Sequence, residues 1–223
     1  MDNGVANLRW DRETSRQIMS VTVKICGITC VEDALAAADA GANAIGLMFF
    51  EKSPRHVALD IAAAINRALP PHVARVGVFV NPSEADVTEA VAACGLTILQ
   101  FHGDESPQFC RQFPLMTMKA FRVKDTASLA ALPNYPTDAW LLDAYSSGAL
   151  GGTGEHFDWD LAIEAQKFGK PIFLAGGLTP ENVADAVRRV QPFGVDVSSG
   201  VESAPGKKDA AKMRAFVAAA KSA

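Results

Sequence analysis

The sequence predicts an α/β protein in which eight parallel strands close into a (β/α)8 barrel, the TIM-barrel fold. From Val21 onward, short β-branched runs alternate with alanine-rich stretches of helical character. Strands that alternate with helices pair in parallel. Eight such units in about 200 residues match the compact end of the size range of this barrel. An open, doubly wound sheet is the alternative, and the similar lengths of the units, without an obvious reversal point, disfavour it.

Eight apolar runs are the predicted strands, and each is followed by a predicted helix. The strands cover residues 21–26, 43–49, 74–80, 96–102, 116–123, 139–145, 171–176 and 195–199. The helices begin near Val31, Leu59, Ser83, Ser106, Thr126, Asp158, Thr179 and Lys208. Residues 29–32 have the spacing of a capping box, and Thr179 with Pro180 indicates a cap followed by proline at the first helical position.

Composition narrows the class of protein. The 223 residues are 49% hydrophobic and 21% charged with a net charge of −4, which is typical of a soluble globular protein. No long basic run favours nucleic acid or an anionic membrane surface as a partner. No apolar run approaches the roughly 20 residues that a membrane helix needs. We therefore expect no nucleic-acid and no membrane partner, and the sequence does not fix an oligomeric state.

The chain divides into a short extension and one domain. Residues 1–20 are polar and charged and lack the apolar core of a signal peptide, so we expect a mobile N-terminal extension. Residues 21–223 contain no low-complexity linker and are predicted to form a single catalytic barrel domain. The four cysteines are too few for a disulfide framework, which predicts reduced thiols and a cytoplasmic protein.

The active site of such a barrel lies at the carboxyl ends of its strands. In this sequence those ends are polar or glycine-rich, whereas the strand interiors are mostly apolar. The residues at the ends are Cys26, Phe49, Asn81, His102, Arg122, Asp143, Gly176, Gly177, Ser199 and Gly200. This asymmetry is the first functional signal in the sequence.

Glycines after the last two strands predict a phosphate site. Gly176 and Gly177 follow the seventh strand, and Ser199 and Gly200 follow the eighth. Glycine lets backbone N–H groups approach an anion closely, and phosphate commonly binds between these two loops. Turn capping would explain either loop alone, so the prediction depends on both. A third glycine-rich stretch, 146–159, suggests a mobile loop over the ligand and lacks the spacing of a dinucleotide fingerprint.

Three further side chains are candidates for the site. Asp143 ends an apolar run, where partial desolvation suits a general acid, although a structural role explains it equally well. Arg55 has the planar fork that holds a carboxylate, but taken alone it is typical of a surface arginine. His102 is either a ligand contact or only a hydrogen-bonded histidine at the rim, and we favour a contact or a support for one. No metal is expected, because neither C-x-x-C nor H-x-x-x-H occurs.

In combination, several motifs resemble those of the phosphoribosylanthranilate isomerase family. They are VKICGIT, SPRHV, LQFHGDE, LLDAY, GGTGEHFDW, LAGGLTPENV and VDVSSGVESAPGKKD, and they run from about Val23 to the last helix. The resemblance implies an Amadori rearrangement of N-(5-phosphoribosyl)anthranilate in tryptophan biosynthesis. It also implies a phosphorylated small molecule as substrate and no cofactor. The extension over residues 1–20 departs from the usual start of the family.

The resemblance further implies roles for single residues. Cys26 would be the general base and Asp143 the general acid, while Arg55 would hold the anthranilate carboxylate. The phosphate would be held by Gly176, Gly177, Ser199 and Gly200.

The two cysteines of VKICGITC have different expected roles. Cys26 lies at the strand end, and its thiol pKa is expected below about 8.5 if it acts as a thiolate. Cys30 lies at a helix start, which predicts an acidic bystander thiol. Side-chain alternation turns Lys24 to the same side as Cys26, and we predict that Lys24 pairs with Asp196 beneath the site.

Other phosphate-binding barrels are the alternatives. An indole-glycerol-phosphate synthase uses a lysine acid, and a histidine-pathway isomerase uses paired aspartates, which Cys26 at the first strand argues against. A barrel that only binds a phosphorylated metabolite is an alternative from a different class. Binding alone requires neither Cys26 nor Asp143, so their presence favours an enzyme.

Overall fold

The structure is a computed structural model that describes residues 20–144 and 158–223. Eight strands in these ranges close into a barrel in sequence order, and every neighbouring pair is parallel. They are β1 Thr22–Cys26, β2 Ala44–Met48, β3 Ala74–Phe79, β4 Ile98–Phe101, β5 Met116–Val123, β6 Ala139–Ala144, β7 Ile172–Leu174 and β8 Gly194–Val197. The predicted closed barrel is confirmed, and the open sheet is excluded because β1 pairs with both β2 and β8.

Helices connect the strands and cover the outside of the barrel. They are α1 Val31–Asp39, α2 Leu59–Ala68, α3 Glu84–Cys94, α4 Pro107–Arg111, α5 Trp159–Gln166, α6 Val183–Val190 and α7 Ala210–Lys221. The helix predicted near Thr126 is instead a 3₁₀ helix, Thr126–Asn134, and Pro133 near its end cannot donate a helical hydrogen bond.

Apolar residues fill both sides of the barrel wall. One set, including Ile25, Leu47 and Leu142, packs outward against the helices. A second set, including Val76 and Phe173, fills the inside of the barrel. Because side chains alternate along a strand, the inward series continues to the strand ends, where it becomes polar. The interior towards the amino ends of the strands is therefore a packed core, and ligand chemistry can occur at the carboxyl ends.

Two predicted helix caps are wrong. The N-cap of α1 is Cys30, which makes no side-chain capping bond. Thr29 does not cap the helix, because its hydroxyl donates to the Gly206 carbonyl at 2.6 Å. Helix α6 begins at Val183 rather than beside Thr179. The Asn182 side chain accepts from the Thr179 amide at 2.8 Å and donates to the Gly177 carbonyl at 2.9 Å, which holds the intervening residues in a turn.

A short antiparallel hairpin follows β8 and was not predicted. It consists of β9 Glu202–Ala204 and β10 Lys207–Lys208, so the last helix begins at Ala210 rather than near Lys208. Gly206 makes the turn with φ +77°, and a Cβ there would lie 2.8 Å from the Pro54 carbonyl oxygen. The hairpin is thereby held against the loop that follows β2.

Within the described ranges, no helix is long and apolar enough to cross a membrane. The predicted extension lies outside those ranges except for Ser20, and so does most of the predicted glycine-rich loop, residues 146–157. The domain division and the closing loop therefore stay predictions.

Candidate active site

The ends of β1 and β8 place a thiol above a buried ion pair. Lys24 and Asp196 are register partners, and Lys24 Nζ donates to Asp196 Oδ1 at 2.8 Å, which confirms the predicted contact. The Lys24 side chain is 0% exposed and that of Asp196 is 9% exposed. Cys26 follows two residues further along the same face and is buried.

Gly46 of β2 makes room for this arrangement. It is the register partner of Cys26. A Cβ at position 46 would lie 2.7 Å from Cys26 Sγ and 3.1 Å from Lys24 Nζ, so the thiol and the ammonium line the same small space. Gly46 was not among the predicted site residues. Its one signal in the sequence was a glycine inside a strand, which often marks a close approach.

The predicted direction of the Cys26 thiol pKa is wrong. Burial raises this pKa because it disfavours the thiolate, and the nearby positive charges of Lys24 and Lys208 oppose that effect without reversing it. For Lys24, burial alone would lower the pKa of the ammonium, but Asp196 and Cys26 outweigh it, and the pKa is raised. The ion pair therefore keeps a positive charge next to the thiol.

Arg55 belongs to a chain of charged groups rather than to the open surface. Its Nε and Nη2 donate to Glu202 Oε1 and Oε2 at 2.8 and 2.7 Å. Lys208 Nζ donates to the same Glu202 Oε1 at 2.8 Å and to the Ser198 carbonyl at 3.2 Å. Gly27, with φ +75°, lets Arg55 approach, because a Cβ there would lie 2.6 Å from Arg55 Cδ. Glu202 and Lys208 were missed because the hairpin that carries them was not predicted.

His102, which follows β4, and Asp143 of β6 approach each other across β5. His102 Nε2 lies 3.4 Å from Asp143 Oδ2, and the Asp143 side chain is 31% exposed. Gln100 Nε2 lies 3.0 Å from His102 Nδ1. The other ring nitrogen, Nε2, is the one that faces Asp143. His102 thus lies where it can support Asp143.

A second buried ion pair holds the loop that carries His102. Lys119 Nζ lies 3.2 Å from Glu105 Oε2, and the two side chains are 3% and 2% exposed. Glu105 also accepts from the backbone amides of Asn81 at 2.8 Å and Gly103 at 3.0 Å. These contacts connect the segments that follow β3 and β4 with the middle of β5.

The four residues predicted to hold phosphate lie in two loops that touch. Gly176 and Gly177 follow β7 with φ +82° and +71°, a conformation that favours glycine. Ser199 and Gly200 begin a 3₁₀ helix, Ser199–Val201. A Cβ on Gly200 would lie 2.0 Å from the Leu178 carbonyl oxygen, so this glycine allows the contact between the loops. Among the described residues, the amides of Gly177 and Gly200 have no protein acceptor.

Cys30 lies at the start of α1, as its N-cap residue. Its thiol pKa is raised, mainly by partial burial and further by Glu32 and Asp33, so the predicted acidic thiol is wrong. The helix N-terminus favours a thiolate, but two carboxylates in the first turn oppose it. In the ranges that the structure describes, no group of three or more His, Cys, Asp or Glu side chains is placed to hold a metal ion.

The fold and the site together define a class of protein. A closed parallel barrel that gathers a thiol, a carboxylate and buried cations at the carboxyl ends of its strands has the architecture of a barrel enzyme.

Comparisons with known proteins identify the family. The family model for N-(5'-phosphoribosyl)anthranilate (PRA) isomerase matches residues 23–219. The chain is 55% identical over 201 residues to the N-(5'-phosphoribosyl)anthranilate isomerase of Geobacter metallireducens, covering 90% of this chain and 99% of that protein. The chain belongs to this family and is an isomerase of tryptophan biosynthesis.

Solved structures agree with this assignment. Phosphoribosyl anthranilate isomerase from Thermotoga maritima superimposes with a TM-score of 0.87 at 40% identity, covering 91% of this chain and all of that one. Another phosphoribosyl anthranilate isomerase structure holds reduced 1-(o-carboxyphenylamino)-1-deoxyribulose 5-phosphate, and it superimposes with a TM-score of 0.83 at 39% identity, covering 91% of this chain and 100% of that one.

Proposed function

We propose that the chain catalyses the Amadori rearrangement of N-(5-phosphoribosyl)anthranilate to 1-(2-carboxyphenylamino)-1-deoxyribulose 5-phosphate, with Asp143 as acid and Cys26 as base. The observation that carries this proposal is the position of the two groups. Asp143 lies at the end of β6 and Cys26 at the end of β1, on well-separated walls of one barrel mouth. The reaction needs an acid and a base on two sides of a small sugar.

Asp143 would begin the reaction by giving its proton to the furanose ring oxygen. The bond from that oxygen to the first sugar carbon then breaks, and the nitrogen lone pair forms an iminium. The carboxylate that remains faces His102 Nε2 at 3.4 Å, so an N–H on that atom would stabilise it. His102 is therefore proposed to position and support the acid.

Cys26 would complete the rearrangement as a thiolate. It removes the proton from the second sugar carbon, and the electron pair neutralises the iminium and forms an enolamine. The enolamine becomes the ketone when the first carbon gains a proton and the enol oxygen loses one, so the product is an isomer of the substrate. The ammonium of Lys24 close to the thiol favours the thiolate that this step requires.

Binding of the substrate would use its two anionic ends. Glu202 occupies the Nε and Nη2 side of Arg55, which leaves Nη1 and the second Nη2 hydrogen for the anthranilate carboxylate. The amides of the loops after β7 and β8 would hold the phosphate, with Gly176, Gly177, Ser199 and Gly200 as its contacts. The phosphorylated substrate would thus lie across the barrel mouth.

We also propose that the enzyme works in the cytoplasm. Its four cysteines are free thiols, which is typical of a reducing compartment. Separating the cell into cytoplasmic and periplasmic fractions and following the activity tests this placement.

Turnover of N-(5-phosphoribosyl)anthranilate, followed by the loss of its fluorescence, tests the proposed reaction. The wild type is expected to consume the substrate, whereas Asp143→Asn, which cannot supply the proton, is expected to lose roughly 100-fold or more in turnover. An Asp143→Asn variant with full turnover would remove Asp143 from the mechanism. Asp138→Asn is a control at the start of the same strand, far from the barrel mouth.

A further inference from the structure

The charges around Cys26 do not cancel in the absence of a thiolate. Lys24 and Asp196 form one pair of opposite charges at 2.8 Å. Glu202 is the one carboxylate shared by two cations, Arg55 and Lys208. If the thiol is protonated, these five groups carry one positive charge in excess.

Most of this charged group is shielded from water, and Arg55 is its most exposed member at 19%. The side chains of Lys208 and Glu202 are 0% and 6% exposed. A buried charge without a counter-ion is costly, so a neighbouring group that becomes an anion is favoured. Burial lowers the pKa of the Lys208 ammonium, and the negative charges of Glu202 and Cys26 oppose that effect without reversing it.

Contacts through Ser198 connect Lys208 with the residue that follows Cys26. Lys208 Nζ donates to the Ser198 carbonyl at 3.2 Å. The hydroxyl of the same serine would lie 3.1 Å from a Cβ on Gly27, the residue that follows Cys26. In the part of the chain that the structure describes, the buried Ser198 hydroxyl has no hydrogen-bond partner.

We propose that Lys208 is a positioning residue for the base: its ammonium supplies the excess positive charge that a Cys26 thiolate balances. The inference rests on the proposed function, in which Cys26 is the base. Lys24 is neutralised by Asp196, whereas Lys208 has only a share of Glu202. The hairpin β9–β10 therefore supplies a positive charge that acts on Cys26 of β1.

Thiolate absorbance, titrated with pH in the ligand-free protein, tests the inference. The difference between each protein and its Cys26→Ser counterpart isolates the titration of Cys26. Lys208→Met is expected to raise the midpoint by roughly 1 pH unit or more, because it removes a neighbouring cation. Lys208→Arg, which keeps the charge, should stay near wild type. Lys207→Met makes the same change at the exposed neighbouring position and should leave the midpoint unchanged.

The pH dependence of turnover separates a charge effect from a structural one. Lys208→Met should turn over slowly at neutral pH and recover towards wild type as the pH rises, because more thiolate then forms. Circular dichroism checks the fold, and Lys208→Gln, which can still donate to Glu202, replaces Lys208→Met if the latter unfolds.

Two results would overturn the inference. An unchanged thiol midpoint in both neutral variants would show that Lys208 does not act on Cys26. A raised KM with unchanged turnover would assign Lys208 to the carboxylate site of Arg55 instead. Full turnover by Cys26→Ser would refute the proposed base itself, and the titration of the ligand-free protein distinguishes that failure from the other two.

Discussion

Glu202 binds one side of the Arg55 guanidinium and leaves its other side open. The Glu202 carboxylate takes two of its five N–H groups, and this hydrogen bonding is the main reason why the pKa of Arg55 is raised. The guanidinium is thus oriented before any ligand arrives. From the sequence alone, Arg55 was more typical of a surface residue, because its partner Glu202 is 147 positions away.

Replacing Arg55 tests the carboxylate contact. Arg55→Met is expected to raise KM by roughly 10-fold or more with a smaller loss of turnover, because a charge-assisted contact to the substrate is lost. Arg55→Lys should recover only part of the loss, since lysine lacks the planar fork. Steady-state kinetics measure both constants, and Arg67→Met on α2 serves as the control. Unaltered kinetics in Arg55→Met would return the residue to a structural role.

The contacts of single residues were predictable from the sequence where a simple geometric rule applied to them. The Lys24–Asp196 contact followed from two rules: side chains alternate along a strand, and the first and eighth strands are neighbours in a closed barrel. The thiol pKa of Cys26 was not predictable in the same way. Its direction depends on burial beneath neighbouring strands, and burial is a property of the folded barrel.

Among the elements, the loops after β7 and β8 depend on each other. Gly200 allows contact with the Leu178 carbonyl, and Gly177 has a positive φ. Both sequence features were visible as glycines at strand ends. The hairpin β9–β10 was not visible, because two- and three-residue strands leave almost no periodicity in the sequence.

A glycine substitution tests the phosphate loop against a matched control. Gly177→Ala is expected to raise KM several-fold, because an alanine strains the φ of +71° that presents the amide. Gly169→Ala carries the same kind of strain at φ +80°, with nothing within 4 Å of the added Cβ, and lies at the end of α5. Equal kinetic effects of the two substitutions would argue against a phosphate contact at Gly177.

At the scale of the whole molecule, buried ion pairs replace part of the apolar core near the mouth of the barrel. Lys24–Asp196 and Lys119–Glu105 each join neighbouring strands. The closed barrel itself was predictable, because eight repeated units of similar length dominate the sequence. The buried ion pairs were harder to predict, since each joins residues from distant segments of the chain.

Asp196→Asn tests the contribution of one such pair to stability. Because it leaves Lys24 charged and buried, it should lower the free energy of unfolding by about 3 to 5 kcal/mol in urea denaturation. Asp185→Asn, which removes an exposed pair, should cost about 1 kcal/mol or less.

The difference in unfolding free energy between the wild type and Asp196→Asn is expected to depend on pH in a defined direction. The pKa of Lys24 in the folded protein is raised above its ordinary value of 10.5. The pair therefore contributes fully below pH 10.5, and the contribution is lost as the pH rises through the folded pKa. The gap between wild type and Asp196→Asn should narrow in that alkaline window. A constant gap would contradict the assignment of the effect to the charge on Lys24.

The most direct test of the account compares turnover in Cys26→Ser and Cys30→Ser. The two cysteines are four positions apart, but only Cys26 faces the buried cations at the barrel mouth. Cys26→Ser is expected to lose at least about 100-fold in turnover, because serine is a far weaker base, while binding of the product is retained. Cys30→Ser should remain near wild type. A nearly inactive Cys30→Ser beside an active Cys26→Ser would contradict the account.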